Sequence, residues 1–165
     1  MLNRNLFISL IIIFNLAIDQ LSKIWVRANF IYGESKEIIG DKFIMQYVEN
    51  KGAFLGMGSD MNPTLHFITL KLLPLLVLLY VIYYIVKTKS LDKMSLIAFC
   101  CIVGGGLANV IDRFLFSSVT DFFFIDLGGI FKTGIFNVAD VAVTTGMFIL
   151  VFNNFIFNKK SKKEA

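Results

Sequence analysis

The chain is poor in the residues that build most soluble catalytic sites. It has one histidine, His66, among 165 residues. That excludes a histidine-rich metal set and leaves serine or cysteine chemistry without an obvious base. Its two cysteines, Cys100 and Cys101, are adjacent in an apolar run. Neither a disulfide framework nor a C-x-x-C zinc motif is indicated, and both read as small buried hydrophobes. There are only two prolines, Pro63 and Pro74, so long helices are rarely interrupted. Charged residues make up 17% of the chain and hydrophobic ones 56%. An ordinary soluble domain is about 45–50% apolar even with glycine counted. The net charge of +4 sits mostly in short flanks rather than on one stripe, which excludes a nucleic-acid binder. The length allows one domain, and no internal repeat is visible.

What the chain does have is long apolar runs. Four candidate spans cover residues 6–26, 65–86, 94–116 and 135–157. About 20 residues at ~1.5 Å each cross a hydrocarbon core of roughly 30 Å. Arg4 before an apolar run resembles the start of a secretory signal peptide. No small-x-small cleavage site follows, so the first run reads as a retained span. Residues 28–63 are the most polar stretch, and Glu37–Ile39 and Phe43–Val48 suit strands joined by the turn Gly40-Asp41. The expected architecture is a membrane all-α bundle of four transmembrane helices with a small extracytoplasmic β-sheet, forming a single domain over 1–165. Residues 117–134 read as a mixed loop containing Gly128-Gly129. Pro74 is a possible kink in the second span. Lys71, in the same span, either snorkels outward or meets a carboxylate, and His66 reads as an interfacial residue.

Orientation follows from the basic residues. Arg4, then Lys87, Lys89 and Lys93, then Lys159, Lys160, Lys162 and Lys163 fall on one side of a four-span layout, with only Asp92 and Glu164 as acids. The opposite side mixes lysines with Glu34, Glu37, Asp41, Glu49 and Asp60. The positive-inside bias places both termini in the cytoplasm.

Polar residues inside the spans form one layer. Asp19 lies about 20 Å from the inner start of span one at ~1.5 Å per residue. Asn109, Asp112 and Arg113 reach a similar or slightly greater height in span three. Asn137 and Asp140 lie within two turns of the outer end of span four. Asp19 and Lys23 are spaced i, i+4; Asn109, Asp112 and Arg113 are i, i+3, i+4; Asn137 and Asp140 are i, i+3. Gly104-Gly105-Gly106 permits close approach of another span. Asp121 follows span three by a few residues and can bend back over the layer. Ionisable groups at this depth are costly and usually functional. Two carboxylates placed together share one proton, and such a pair can activate water and protonate a carbonyl. Asp121 and Asp140 are the candidate pair. Asp112 beside Arg113 reads as a structural ion pair, and Asp126 lacks a supporting motif. A proton-coupled transporter is the main competing class, but the inner half lacks the acids its path would need. A non-enzymatic scaffold would not need both Asp121 and Asp140.

Five blocks now carry a resemblance. Asp19-Gln20-Leu21-Ser22-Lys23, Asn50-Lys51-Gly52-Ala53-Phe54, Gly104 to Arg113, Val119-Thr120-Asp121-Phe122 and Phe136-Asn137-Val138-Ala139-Asp140 resemble, in order, the conserved blocks of the lipoprotein signal peptidase (signal peptidase II) family of bacterial membrane aspartic proteases. One departure is Ala108, where the family usually has glycine; a small change in packing is expected. The resemblance implies that Asp121 and Asp140 are the catalytic dyad. It implies that Asn109, Arg113 and Asn137 support the dyad or bind substrate backbone. Asn50 and Gly52 would shape the cleft, while Asp19, Lys23 and Asp112 would hold the spans together. It further implies a diacylglyceryl-modified prolipoprotein substrate, cut just before its lipidated cysteine, and a site near the outer leaflet of the bacterial cytoplasmic membrane. No metal or other cofactor and no nucleic acid are expected, and a monomer in the lipid bilayer is the expected working unit.

Overall fold

The computed structural model describes residues 3–128 and 131–161. Gly129 and the tail residues Lys162, Lys163 and Glu164 therefore lie outside the described residues. The elements run α1 (Arg4–Asn29), β1 (Ser35–Ile39), β2 (Phe43–Asn50), α2 (Pro63–Lys87), α3 (Lys93–Phe116), β3 (Val119–Ile125) and α4 (Val138–Ser161). Each of the four helices is long and apolar enough to cross a membrane.

Helix ends follow local chemistry. Asn3 caps α1, its side chain accepting from Asn5 N–H. Asn62 caps α2 ahead of Pro63, which fits a first turn that has no use for its N–H. Asp92 caps α3 by accepting from the N–H groups of Met94 and Ser95, and it also accepts from Asn153 on α4. Those hydrogen bonds, with Ser95 first, hold the Asp92 carboxyl below its usual range.

Pro74 acts through what precedes it. Residues Ile68–Leu72 form a π-helical turn inside α2. Proline offers no N–H and its ring crowds the carbonyl four residues back, so the ladder widens just upstream. Lys71 sits on this widened turn. Among the described residues it meets no carboxylate: its ammonium donates to Ser117 Oγ at 3.4 Å and lies 5.8 Å from the Phe114 ring centroid.

Small residues bring α3 against its neighbours. A Cβ on Gly105 would collide with the Ala139 carbonyl of α4. One on Gly104 would fall 2.7 Å from Asn15 Cβ of α1, and one on Gly146 would meet the Ala98 carbonyl at 2.5 Å. Apolar clusters fill the space between: Ile8, Ile85, Leu96 and Cys100 at one end, Leu78, Val103 and Val110 in the middle, and Val26, Phe30 and Phe122 under the sheet. Large apolar side chains such as Phe14, Leu21, Tyr80 and Phe152 remain exposed along the helices, as lipid-facing surfaces require.

Three departures from the sequence reading concern the polar end. The sheet has three antiparallel strands in the order β1-β2-β3, and β3 comes from the segment read as a mixed loop over 117–134. Ser117, at φ 61, takes the left-handed turn that lets β3 start with only two residues between it and the end of α3. The Val119–Ile125 backbone then pairs with β2, with Val48 opposite Asp121 and Asn50 opposite Val119. Second, the fourth helix starts at Val138 rather than 135, because Phe136 is spent on pairing with Phe123. Third, Asp112 does not pair with Arg113. It faces α1 and pairs with Lys23 at 2.9 Å and Arg27 at 3.3 Å.

Candidate active site

Four elements converge on Asp121. It lies near the start of β3 and is 4% exposed. Asn50, the last residue of β2, donates from Nδ2 to Asp121 Oδ2 at 3.0 Å. Asn137, just before α4, donates from Nδ2 to Asp121 Oδ1 at 2.6 Å. Asp140 is one turn into α4. Its Oδ1 accepts from Asn109 Nδ2 of α3 at 2.9 Å, and its Oδ2 accepts from the Asn137 backbone N–H at 3.1 Å. Asn137 thus bonds both acids.

The three asparagines have fixed amide orientations. Asn50 Oδ1 accepts from Gly52 N–H at 3.0 Å. Asn137 Oδ1 accepts from Asp140 N–H at 2.9 Å. Asn109 Oδ1 accepts from Lys23 Nζ at 2.8 Å and from Asn137 Nδ2 at 3.1 Å. With each oxygen held by a donor, each NH2 group must face a carboxylate.

Burial opposes these donors at Asp121. Removing the carboxyl from water outweighs the Asn50 and Asn137 amides, and the neighbouring Asp140 charge acts in the same direction as burial. The Asp121 carboxyl is pushed up from 3.8 to about 7.

Arg113 lies beside the pair on α3. Its Nη2 donates to the Gly52 carbonyl at 2.9 Å and its Nη1 to the Asn109 carbonyl at 3.4 Å. Its buried Nε has no partner among the described residues. Gly52 is itself buried, and a Cβ there would strike the Gly56 backbone, so no larger residue fits this turn.

Below the pair lies a buried ion cluster. Lys23 and Asp19 are fully buried and 2.8 Å apart. Asp19 Oδ1 accepts from the Ala139 N–H of α4 at 2.7 Å, tying α1 to the helix that carries Asp140. Asp112 also accepts from Gln20 Nε2 and Thr120 N–H. All ten residues singled out from the sequence thus lie in one connected layer. Among the described residues, no group of three or more His, Cys, Asp or Glu is arranged to hold a metal ion.

Comparison with known proteins identifies the family. The family described as Signal peptidase (SPase) II matches residues 11–156. The chain belongs to this family. It is therefore a bacterial membrane protease of lipoprotein signal-peptide processing. The lipoprotein signal peptidase of Clostridioides difficile strain 630 is 35% identical over 153 residues, covering 93% of this chain and 97% of that one. The lipoprotein signal peptidase of Clostridium novyi strain NT is 33% identical over 141 residues, covering 86% and 92%. A solved structure described as a bacterial membrane enzyme superposes with a TM-score of 0.83 at 25% identity, covering 96% of this chain and 93% of its own.

In this signal peptidase II chain, several site neighbours escaped the sequence reading. Arg27 is one turn beyond Lys23, so the same i, i+4 rule could have found it. It joins Asp112 to Thr120, donating from Nε to Thr120 Oγ1 at 2.8 Å, and stacks 4.0 Å from the Phe116 ring centroid. Glu49 accepts from Ser118, Thr120 and Tyr47. Burial and this carboxylate push the Tyr47 hydroxyl up to about 12. His66 bonds the Lys51 carbonyl at 2.6 Å and so pins the turn between Asn50 and Gly52. Nothing in the local sequence marked that contact.

Proposed function

We infer that this signal peptidase II is an aspartic endopeptidase working through the Asp121–Asp140 pair. Asp121 holds a proton near neutral pH and acts as the acid. Asp140 acts as the base. It takes a proton from water as the resulting hydroxide attacks the scissile carbonyl, and Asp121 protonates the carbonyl oxygen. The tetrahedral species then collapses: the C–N bond breaks, the departing amine takes a proton from Asp140, and a hydroxyl of the new carboxyl group returns its proton to Asp121. Arg113 stands ready to hold a substrate carbonyl through its unpartnered Nε.

The observation that carries this reading is the single asparagine, Asn137, bonded to both carboxylates. Two acids held by one residue, Asp121 by its side-chain amide and Asp140 by its backbone N–H, suit a shared-proton pair better than two independent ion-pair partners. The transporter reading has no comparable support, since Asp19, Lys23, Asp112, Arg113 and Asp140 gather in one layer rather than along a path through the bilayer.

The substrate is a prolipoprotein whose cysteine already carries diacylglycerol, and the cut falls just before that cysteine. Placement supports this. The pair lies where the spans meet the sheet, so a lipid-anchored bond can reach it with its acyl chains still in the bilayer. Both termini are cytoplasmic in this reading, with the sheet and the pair near the outer leaflet. The test is cleavage of purified prolipoprotein with and without the diacylglyceryl group, followed by sequencing of the product's N-terminus. Cleavage of the lipidated form alone, with cysteine as the first product residue, is expected. Equal cleavage of both forms would overturn the substrate assignment.

A further inference from the structure

Lys23 has a position that interhelical bracing alone does not require. Three oxygens surround its ammonium: Asn109 Oδ1 accepts a hydrogen bond at 2.8 Å, and the carboxylates of Asp19 and Asp112 form ion pairs with it at 2.8 Å and 2.9 Å. Two are carboxylates that balance its charge. The third is a neutral amide whose other end touches Asp140 at 2.9 Å. Asn109 has no alternative orientation here. Turning its amide over would aim Nδ2 at an ammonium, which cannot accept. It would also aim Oδ1 at Asp140, which offers no donor while ionised. Lys23, the nearer and the only charged of the two donors on the Asn109 oxygen, therefore helps to decide which end of Asn109 meets Asp140.

The effect extends to the other acid. Asn109 Oδ1 also accepts from Asn137 Nδ2 at 3.1 Å, the group that donates to Asp121 at 2.6 Å. A chain of donors thus runs Lys23, Asn109, Asp140, and the Asn109 oxygen at its centre is shared with Asn137 Nδ2, the donor that also serves Asp121. Each amide is polarised by the donor on its oxygen, which strengthens the hydrogen bond from its nitrogen. We propose that Lys23 is a positioning residue for proteolysis: it fixes the Asn109 amide so that it donates to Asp140. Lys23 touches no substrate and is fully buried. Its influence is on the pair, and so on turnover rather than substrate binding. This rests on the aspartic reading above.

The test must separate positioning from bracing. Losing Lys23 alone would strand Asp19 in the interior, and removing one partner of a buried pair is strongly destabilising. Asp19→Asn removes the stranded charge, and the asparagine oxygen can still accept from Ala139 N–H. Arg27 remains to balance Asp112. Four proteins carrying Asp19→Asn form a cycle: that change alone, with Lys23→Met, with Asn109→Ala, and with both. Their kcat and KM are measured on diacylglyceryl-modified prolipoprotein, with melting temperature as a check on folding. Lys23→Met is expected to lower kcat roughly tenfold or more, the scale on which outer orienting groups act, and to change KM by less than about threefold. In the Asn109→Ala background the same change is expected to cost less than about twofold, because the group Lys23 acts through is gone. Equal losses in both backgrounds, or a loss confined to KM, would overturn the proposal. If the Lys23→Met protein does not fold, the cycle is run with Lys23→Arg without Asp19→Asn, which keeps the charge but shifts the donor. The same non-additivity is then required. The aspartic reading fails separately, if Asp121→Asn retains full turnover.

Discussion

At the scale of single residues, Asn109, Asn137 and Asp140 were legible from spacing and Asp121 from its position just after span three, whereas Asn50 came only with the family resemblance. Asn109 and Asp112, like Asn137 and Asp140, are i, i+3 on apolar helices, where a polar group has few reasons to sit. What spacing could not convey was direction. Asp112 looks toward α1 rather than Arg113, since Lys23 and Arg27 converge there. Asp121 provides a pH prediction. Burial raises its carboxyl from 3.8 to about 7, so the folded protein binds this proton more tightly than the unfolded chain. Between those values the folded state holds the extra proton, and stability falls as pH rises through the window. The melting temperature of the purified protein should therefore be lower at pH 8 than at pH 5, and Asp121→Asn should reduce that slope. An unchanged slope in the variant would remove Asp121 as its source. Cleavage should decline as pH rises through about 7, where the acid loses its proton.

At the scale of elements, the helices were the readable part and β3 was not. Val-Thr-Asp-Phe-Phe-Phe-Ile shows no alternation, because Val119–Phe122 are all buried, and the strand it pairs with, Phe43–Asn50, lies far earlier in the chain. Only tertiary pairing makes it a strand. The close contact of α3 and α4 offers a packing test. Gly105→Ala places a methyl against the Ala139 carbonyl, one turn below Asn109 and beside the residue preceding Asp140. Overpacking of this kind typically costs about 1–3 kcal/mol. A lower melting temperature together with reduced kcat is expected, because the helices that carry Asn109 and Asp140 must separate. Full activity in Gly105→Ala would mean that the contact does not set the spacing of the site. Gly52→Ala should likewise impair cleavage by forcing the Asn50–Gly56 turn open, measurable in the same assay.

At the scale of the whole molecule, four apolar helices and a small sheet form one unit because the polar layer ties them together. Asp19 joins α1 to α4, Asp112 joins α3 to α1 and β3, and Asn50 joins β2 to β3. The sequence blocks that carried the family resemblance are the ends of these ties, which is why a short list of residues was enough to mark the candidate site. The charge asymmetry of the loops predicts orientation. An Asp41→Cys variant should react with a membrane-impermeant maleimide on intact cells, whereas Ser90→Cys should react only after permeabilisation. The reverse pattern would invert the topology. The most direct measurement is the turnover of purified Asp121→Asn, Asp140→Asn and the double variant on diacylglyceryl-modified prolipoprotein. Each single change should lower kcat by roughly a thousandfold or more, and the double should be no slower than the worse single, because the pair works as a unit. Near-native turnover in either single variant, or losses that multiply in the double, would contradict a shared-proton Asp121–Asp140 pair.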